Sequence, residues 1–289
     1  MNKAFLADIV PPSLREGVFG KINAASSIGF IVGPTLAGWI MLSENGFQKI
    51  AFLSGTVFLL NALFNHFVIS KYIEQSERTK TPTHKFSVLA AFNVFKNAHR
   101  VPWHLVWDAF VIRFLMSFSM IIYRANFTSV LISKFETSHL TNGYIQSMNG
   151  AVSMATGFIL GSIRELFPSN SAMHNVSSVG LVLTLFVLSI TSSFWLYIAC
   201  IIPLCVTTSI LRVSNTTNIV NRGGEETRGL VMGLADTLTA IGRAFGPVIA
   251  GYALEYSYSA PGLCATFFAL LGTLTSIYGR KLLTHQHTE

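Results

Sequence analysis

Eight stretches of this sequence stay apolar for about 20 residues at a time, the length at which a helix crosses about 30 Å of hydrocarbon. They cover residues 18–41, 50–70, 104–125, 142–163, 176–193, 195–213, 230–253 and 260–279. A segment in lipid must satisfy its own backbone polar groups, so each stretch is expected to be a helix. Composition agrees: 51% of residues are hydrophobic and 11% are charged, against about 25% charged in a soluble domain. The fold class expected is therefore all-α and integral to the membrane. The opening MNKAFLADIV is too short to span and lacks the apolar core and cleavage site of a signal peptide. KAFLADIV reads as the last two turns of a helix begun upstream, so the chain is expected to start in mid-fold.

Lysine and arginine placement sets the orientation. With residue 1 in the cytosol, one side carries Lys3, Arg15, Lys21, Lys71, Arg78, Lys80, Lys85, Lys96, Arg100, Arg164, Arg212, Arg222, Arg228, Arg280 and Lys281. The other side carries Lys49, Arg124 and Lys134, and the two remaining arginines, Arg113 and Arg243, lie within spans. Both ends are expected in the cytosol. The net charge of +7 is this topology signal, and no nucleic-acid partner is expected, because no basic patch is interleaved with stacking aromatics.

Residues 71–103 break the rhythm of short loops with a charged segment. Phe86, Leu89, Phe92 and Phe95 recur within it at a spacing that suggests a short interfacial helix. A linker of this kind divides the chain into 1–70, the linker 71–103, a block of six spans over 104–280, and a tail at 281–289. An internal repeat supports the division. At an offset of 213 residues, Arg15 meets Arg228, Gly20 meets Gly233, Gly29 meets Gly242, Gly33-Pro34 meets Gly246-Pro247, and Ala37-Gly38 meets Ala250-Gly251. Both copies run in the same direction, as do the parallel repeats of certain secondary transporters. The second copy sits on the fifth span of its block, so 18–41 and 50–70 are expected to be the fifth and sixth of a first block. Four helices are then expected upstream.

The segment ADIVPPSLREGVFG leading into GFIVGPTLAG resembles the major facilitator superfamily between its fourth and fifth helices. The second stretch is similar to that superfamily's G-x-x-x-G-P-x-x-G-G motif, with Ala37 in place of a glycine. WDAFVIRFLMSFSMIIYRANF, TNGYIQSMNGAVS and AIGRAFGPVIAG extend the resemblance to a vertebrate branch and, more distantly, to the tetracycline-efflux branch. The resemblance implies an incomplete superfamily fold of about eight spans, corresponding to helices five to twelve. It also implies that helix five packs on helix eight, that helix seven lines a central cavity, and that the glycine-proline motif accompanies antiport.

Small residues fall four apart at Gly29, Gly33 and Ala37, at Gly242, Gly246 and Ala250, and at Ser153, Gly157 and Gly161. Such rows let helix backbones approach closely in lipid. They are expected either to form a sliding contact or to make a static seam. Gly38, Gly251, Pro34 and Pro247 complete the two hinge motifs. A proline removes one helical hydrogen bond, so its carbonyl partner is expected to face protein rather than lipid. The helix-eleven row is expected to rest on helix two.

Arg113 and Arg243 lie near mid-bilayer, where an arginine costs about 2.5–3.5 kcal/mol on insertion scales and must face a cavity or a partner. Their permanent charge suits a carboxylate, sulfate or phosphate on a solute; the alternative is pairing with an acidic residue or helix carbonyls. Asp108 and Asp236 could carry a coupling proton, form gate salt bridges, or be solvated at the interface. Asp8 and Arg15 resemble a cytosolic gate network, which Arg228 repeats while Asn221 replaces the aspartate. Asn23, Gln146, Asn149, Thr207, Thr208 and Thr239 are polar candidates to line a cavity.

Two functions fit. One is a secondary transporter of a small organic solute, with an anion and a coupling ion as options. The other is a transport-incompetent scaffold on the same fold. No nucleophile–base pair, metal set, cofactor motif or phosphate-cradling loop points to an enzyme. The expected partners are the lipid bilayer and a small solute.

Overall fold

The computed structural model describes residues 15–69, 101, 103–222 and 228–285; side chains are not described at 15–27, 68–69, 104, 220–222, 228–229 and 280–285. The expected interfacial helix of the linker and the turns at 1–10, with Asp8, lie outside the described residues. So do the side chains of Arg15, Asn23 and Arg228.

The described chain is helical throughout its length between short connections. In order the helices are α1 (Arg15–Met41), α2 (Gly46–Phe64), α3 (Trp103–Ala125), α4 (Phe127–Phe135), α5 (His139–Glu165), α6 (Asn170–Ile190), α7 (Phe194–Arg222), α8 (Arg228–Tyr256) and α9 (Ala260–His285). α2 continues into one π-helical turn at Asn65–Ile69. All eight expected spans are helices, several of them longer than their apolar runs. α7 is the clearest case, running past the expected end at 213 to Arg222, because its polar last turns remain helical beyond the hydrophobic stretch.

Among the described residues, five helices are both long and apolar enough to cross a membrane: those containing Gly46–Phe67, Leu105–Ala125, Asn170–Ile190, Phe194–Ile219 and Ala260–Gly279. α5, α8 and the described part of α1 are the remaining expected spans, and these carry the glycine rows.

One helix was not expected. Phe127, Leu131 and Phe135 recur every four residues, and α4 buries the first two while Asn126 ends α3 by donating to the Ala250 carbonyl at 2.6 Å. The connection between the spans 104–125 and 142–163 thus contains a nine-residue amphipathic helix.

The main core joins α3, α4, α5, α6, α7, α8 and α9 around Ile122, Leu181, Leu185, Tyr197, Ile201 and Ala269. Polar bonds tie the helices where apolar contact gives no net preference over lipid. Ser119 donates to the Ala265 carbonyl at 2.6 Å, the Tyr123 and Tyr197 hydroxyls lie 3.1 Å apart, and Ser276 donates to Asn175 Oδ1 at 2.7 Å. α2 packs on α1, and Phe52 and Phe58 on it stand exposed.

α1 lies along α5, as helices five and eight were expected to. The contact is made by a different face from the one read in the sequence. Nothing among the described residues comes within 4 Å of a Cβ built on Gly29, Gly33, Gly157 or Gly161. A Cβ on Gly143 would instead meet the Pro34 carbonyl oxygen at 2.5 Å, one on Gly150 the Phe30 carbonyl at 2.8 Å, and one on Gly38 the His139 carbonyl at 3.0 Å. The ridge Phe30, Pro34, Gly38 therefore sits in a groove opened by Gly143 and Gly150, which are seven residues apart. Thr35 and Ser147 bond across it at 2.7 Å, and Trp39 Nε1 donates to the Tyr144 hydroxyl at 3.2 Å. Helical twist explains the difference: each residue turns the face by about 100°, so the ridge beside a small-residue row points elsewhere.

The second copy uses the opposite choice. Its row Gly242, Gly246 is the one in contact, against Phe118 and Ile121 of α3, with Ile121 Cγ2 2.5 Å from a Cβ on Gly246. Among the described residues, the helix that this row meets is α3. Arg243 and Pro247, counterparts of Phe30 and Pro34, line one cavity, while Phe30 and Pro34 border another.

Candidate functional site

Three helices each turn one stripe of side chains inward. On α3, Arg113, Ser117, Met120, Ile121 and Arg124 follow helical spacing; on α8, Asp236, Thr239, Arg243 and Pro247 do the same. α7 contributes Thr208, Leu211, Arg212 and Asn215. Together they line a cavity of about 860 Å³. A second cavity of about 850 Å³ lies between α1, α3, α5 and α7. Arg124, Thr208 and Arg212 line both.

Cross-links fix the register of the three stripes. Arg113 Nη2 donates to Asp236 Oδ1 at 2.8 Å, and its Nη1 to Thr216 Oγ1 at 3.2 Å. Arg113 is 19% exposed and Asp236 73%, so the pair stands at the cavity wall with the carboxylate on the open side. The buried Nε of Arg113 has no hydrogen-bond partner among the described residues. Tyr123 against Tyr197 and Arg113 against Thr216 make α3 and α7 antiparallel, while Arg113 against Asp236 and Ile121 against Gly246 make α3 and α8 parallel.

The electrostatic result is one-sided. The first cavity is lined by Arg113, Arg124, Arg212 and Arg243 against a single carboxylate, Asp236. That carboxylate is held by Arg113. No salt bridge joins Arg124, Arg212 or Arg243 to an acidic group among the described residues. Guanidinium groups keep their charge at any physiological pH and present planar forks of donors, so such a wall is suited to anions.

The sequence candidates divide as follows. Arg113, Arg243, Asp236 and Thr239 line the first cavity, Gln146 and Asn149 the second, and Thr208 both. Asn149 donates to Gln146 Oε1 at 3.2 Å and accepts from the Cys205 thiol at 3.3 Å. Gly157 and Pro34 also border the second cavity. Thr207 does not join them: its hydroxyl bonds to the Pro203 carbonyl at 2.8 Å, and its methyl faces Gly180 of α6. Asp108 is fully buried on the side of α3 that meets Gly279 of α9, and it lines neither cavity.

Arg124 and Arg212, counted in the sequence only as orientation charges near the ends of their spans, line both cavities. Two signals could have found them. Arg124 lies eleven residues after Arg113, three turns along one face. Arg212 follows Thr208 by four, on a helix that does not end where its apolar run ends.

A family model described as Major Facilitator Superfamily matches residues 1–247. Multidrug resistance protein 2 of Bacillus subtilis is 26% identical over 282 residues, covering 96% of this chain and 68% of the relative. Multidrug resistance protein 1 of the same organism is 24% identical over 282 residues, covering 95% and 67%. The quinolone resistance protein NorA of Staphylococcus aureus is 21% identical over 277 residues, covering 93% and 66%.

Proposed function

The chain belongs to the major facilitator superfamily, and from that premise we propose that it is a secondary active transporter of a small organic anion, working by alternating access. The observation that carries this reading is the arginine-rich cavity between α3, α7 and α8. Charge inside a membrane bundle is expensive and marks a solute or ion pathway. Two relatives are named for multidrug resistance and one for quinolone resistance, which favours export of small organic molecules. A net positive wall attracts carboxylates, sulfates and phosphates and repels cations of similar size.

In this reading α1 and α5 are superfamily helices five and eight, and their glycine seam is the contact that slides as the two bundles rock. Residues 1–70 belong to the first bundle, 71–103 join the two, 104–280 form the second, and 281–289 are a tail. Both ends face the cytosol, and a coupling ion drives antiport. The likeness of WDAFVIRFLMSFSMIIYRANF to the vertebrate major facilitator superfamily domain-containing protein nine belongs to the same proposal.

Vesicles carrying the wild-type chain, Arg113→Ala or Arg243→Ala test it. Arg243→Ala is expected to lose most anion uptake, and Arg113→Ala, whose charge is already matched by Asp236, a smaller part. Equal uptake by all three would remove the arginines from the solute path.

A further inference from the structure

The positive charges in the cavity are spaced, and the spacing says more than their sign. Taking the Arg113–Asp236 pair as the floor, α8 carries Arg243 seven residues higher and α3 carries Arg124 eleven residues higher. α7 runs the other way, and Thr216 on it bonds Arg113, so Arg212, four residues earlier, also lies above the floor. At 1.5 Å per residue these backbone positions stand about 6, 10 and 16 Å above the pair for Arg212, Arg243 and Arg124. Three guanidiniums on three helices thus form a ladder about 10 Å tall. Arg124 and Arg212, its ends, are also the residues through which the two cavities share a wall.

We propose that this ladder is a subsite for an organic dianion, one anionic group held by Arg212 with Arg243 and the other by Arg124, and an apolar spacer between them. The inference rests on the transport reading above and specifies the solute class. A single negative charge would leave two like charges facing each other across a low-dielectric cavity, where repulsion is far stronger than in water. Two anionic groups on one molecule engage both ends of the ladder at once, and a guanidinium fork binds a carboxylate or phosphate bidentately. Between the arginines the walls include Met120, Ile121 and Leu181, which contact a carbon chain better than bare inorganic oxyanions. A dicarboxylate and a phosphonocarboxylate share the chemistry, and head-group preference separates them.

The test uses the purified full chain in detergent at fixed ionic strength, titrated calorimetrically with a size-matched series. Glutarate carries two charged groups, glutaramate one and glutaramide none; 4-phosphonobutyrate, glutarate with one carboxylate replaced, supplies the phosphonate arm. Glutarate or 4-phosphonobutyrate is expected to bind at least about tenfold more tightly than glutaramate, with glutaramide weakest. Arg212→Gln and Arg124→Gln should each weaken glutarate about tenfold and glutaramate much less, collapsing the preference for two charges. Both replace arginines that no acidic group balances among the described residues, so their unfolding midpoints should not fall; should either fail to fold, the charge series on the wild type still decides. Equal affinity across the series, or an unchanged preference in both variants, would overturn the dianion site. Dianion binding without vesicle uptake would leave the site and sink the transport reading. Uptake of neutral or singly charged solutes with no dianion preference would do the reverse.

Discussion

A methyl group built on Gly143 would lie 2.5 Å from the carbonyl oxygen of Pro34, with Gly38 Cα a further obstacle at 3.3 Å. Both obstacles are backbone, so α1 and α5 cannot accommodate the group by a rotamer change. Gly143→Ala is therefore expected to lower the unfolding midpoint, at an overpacking cost of about 1–3 kcal/mol. Gly33→Ala, at a site with no described neighbour within 4 Å, should leave it unchanged or raise it, since alanine gains about 1 kcal/mol over glycine in a helix. Thermal unfolding in detergent reads both. A larger loss at Gly33 than at Gly143 would mean that the seam uses the other face.

If the seam slides during transport, the bond between Thr35 and Ser147 at 2.7 Å must break in each cycle. A Thr35→Cys, Ser147→Cys pair, with Cys200, Cys205 and Cys264 replaced by serine, should cross-link readily under oxidation. Cross-linking should stop uptake by vesicles and reductant should restore it. Undiminished uptake in the linked state would make the seam a static one.

The Arg113–Asp236 pair, at 2.8 Å with the carboxylate 73% exposed, is expected to add little stability. A double-mutant cycle with Arg113→Gln and Asp236→Asn should give a coupling of about 0.2–1 kcal/mol, the range of exposed ion pairs. Its effect on binding should be larger in sign than in size: Asp236→Asn releases a fourth guanidinium into the cavity, so anion affinity should rise. A fall in affinity would show that Asp236 itself contacts the solute.

The hydroxyl of Ser119 is buried and donates to the Ala265 carbonyl at 2.6 Å, joining α3 to α9. Ser119→Ala should cost about 0.6 kcal/mol, the average for such bonds in membrane bundles, with anion binding unchanged. A change in affinity without a change in unfolding midpoint would connect this packing bond to the cavity.

The spans were legible because lipid imposes one rule on every residue of a run, and eight runs obey it. What the sequence concealed was where helices turn their faces. Gly29 and Gly33 follow the four-residue spacing of a packing row, yet the contact falls one position round the helix, on Pro34 and Gly38. The partner groove, Gly143 and Gly150, has a seven-residue spacing that a search for rows of four passes over. Arg124 and Arg212 stand at the ends of their apolar runs, where a charge reads as an orientation signal, but a helix can outlast its apolar run when its polar turns face a cavity. Asp108 carries the reverse lesson: a lone acid in an apolar span suggests a pathway, and here the helix turns it into packing against α9. The nine residues of α4 are too few for a spanning signal, although Phe127, Leu131 and Phe135 mark its face.

The charge of the transported solute is the most direct test of the central claim. Purified wild-type chain in vesicles, offered organic anions, cations and neutral molecules of matched size, should accumulate anions saturably and leave cations at the level of empty vesicles. Saturable uptake of cations with no uptake of anions would contradict an arginine-lined solute path.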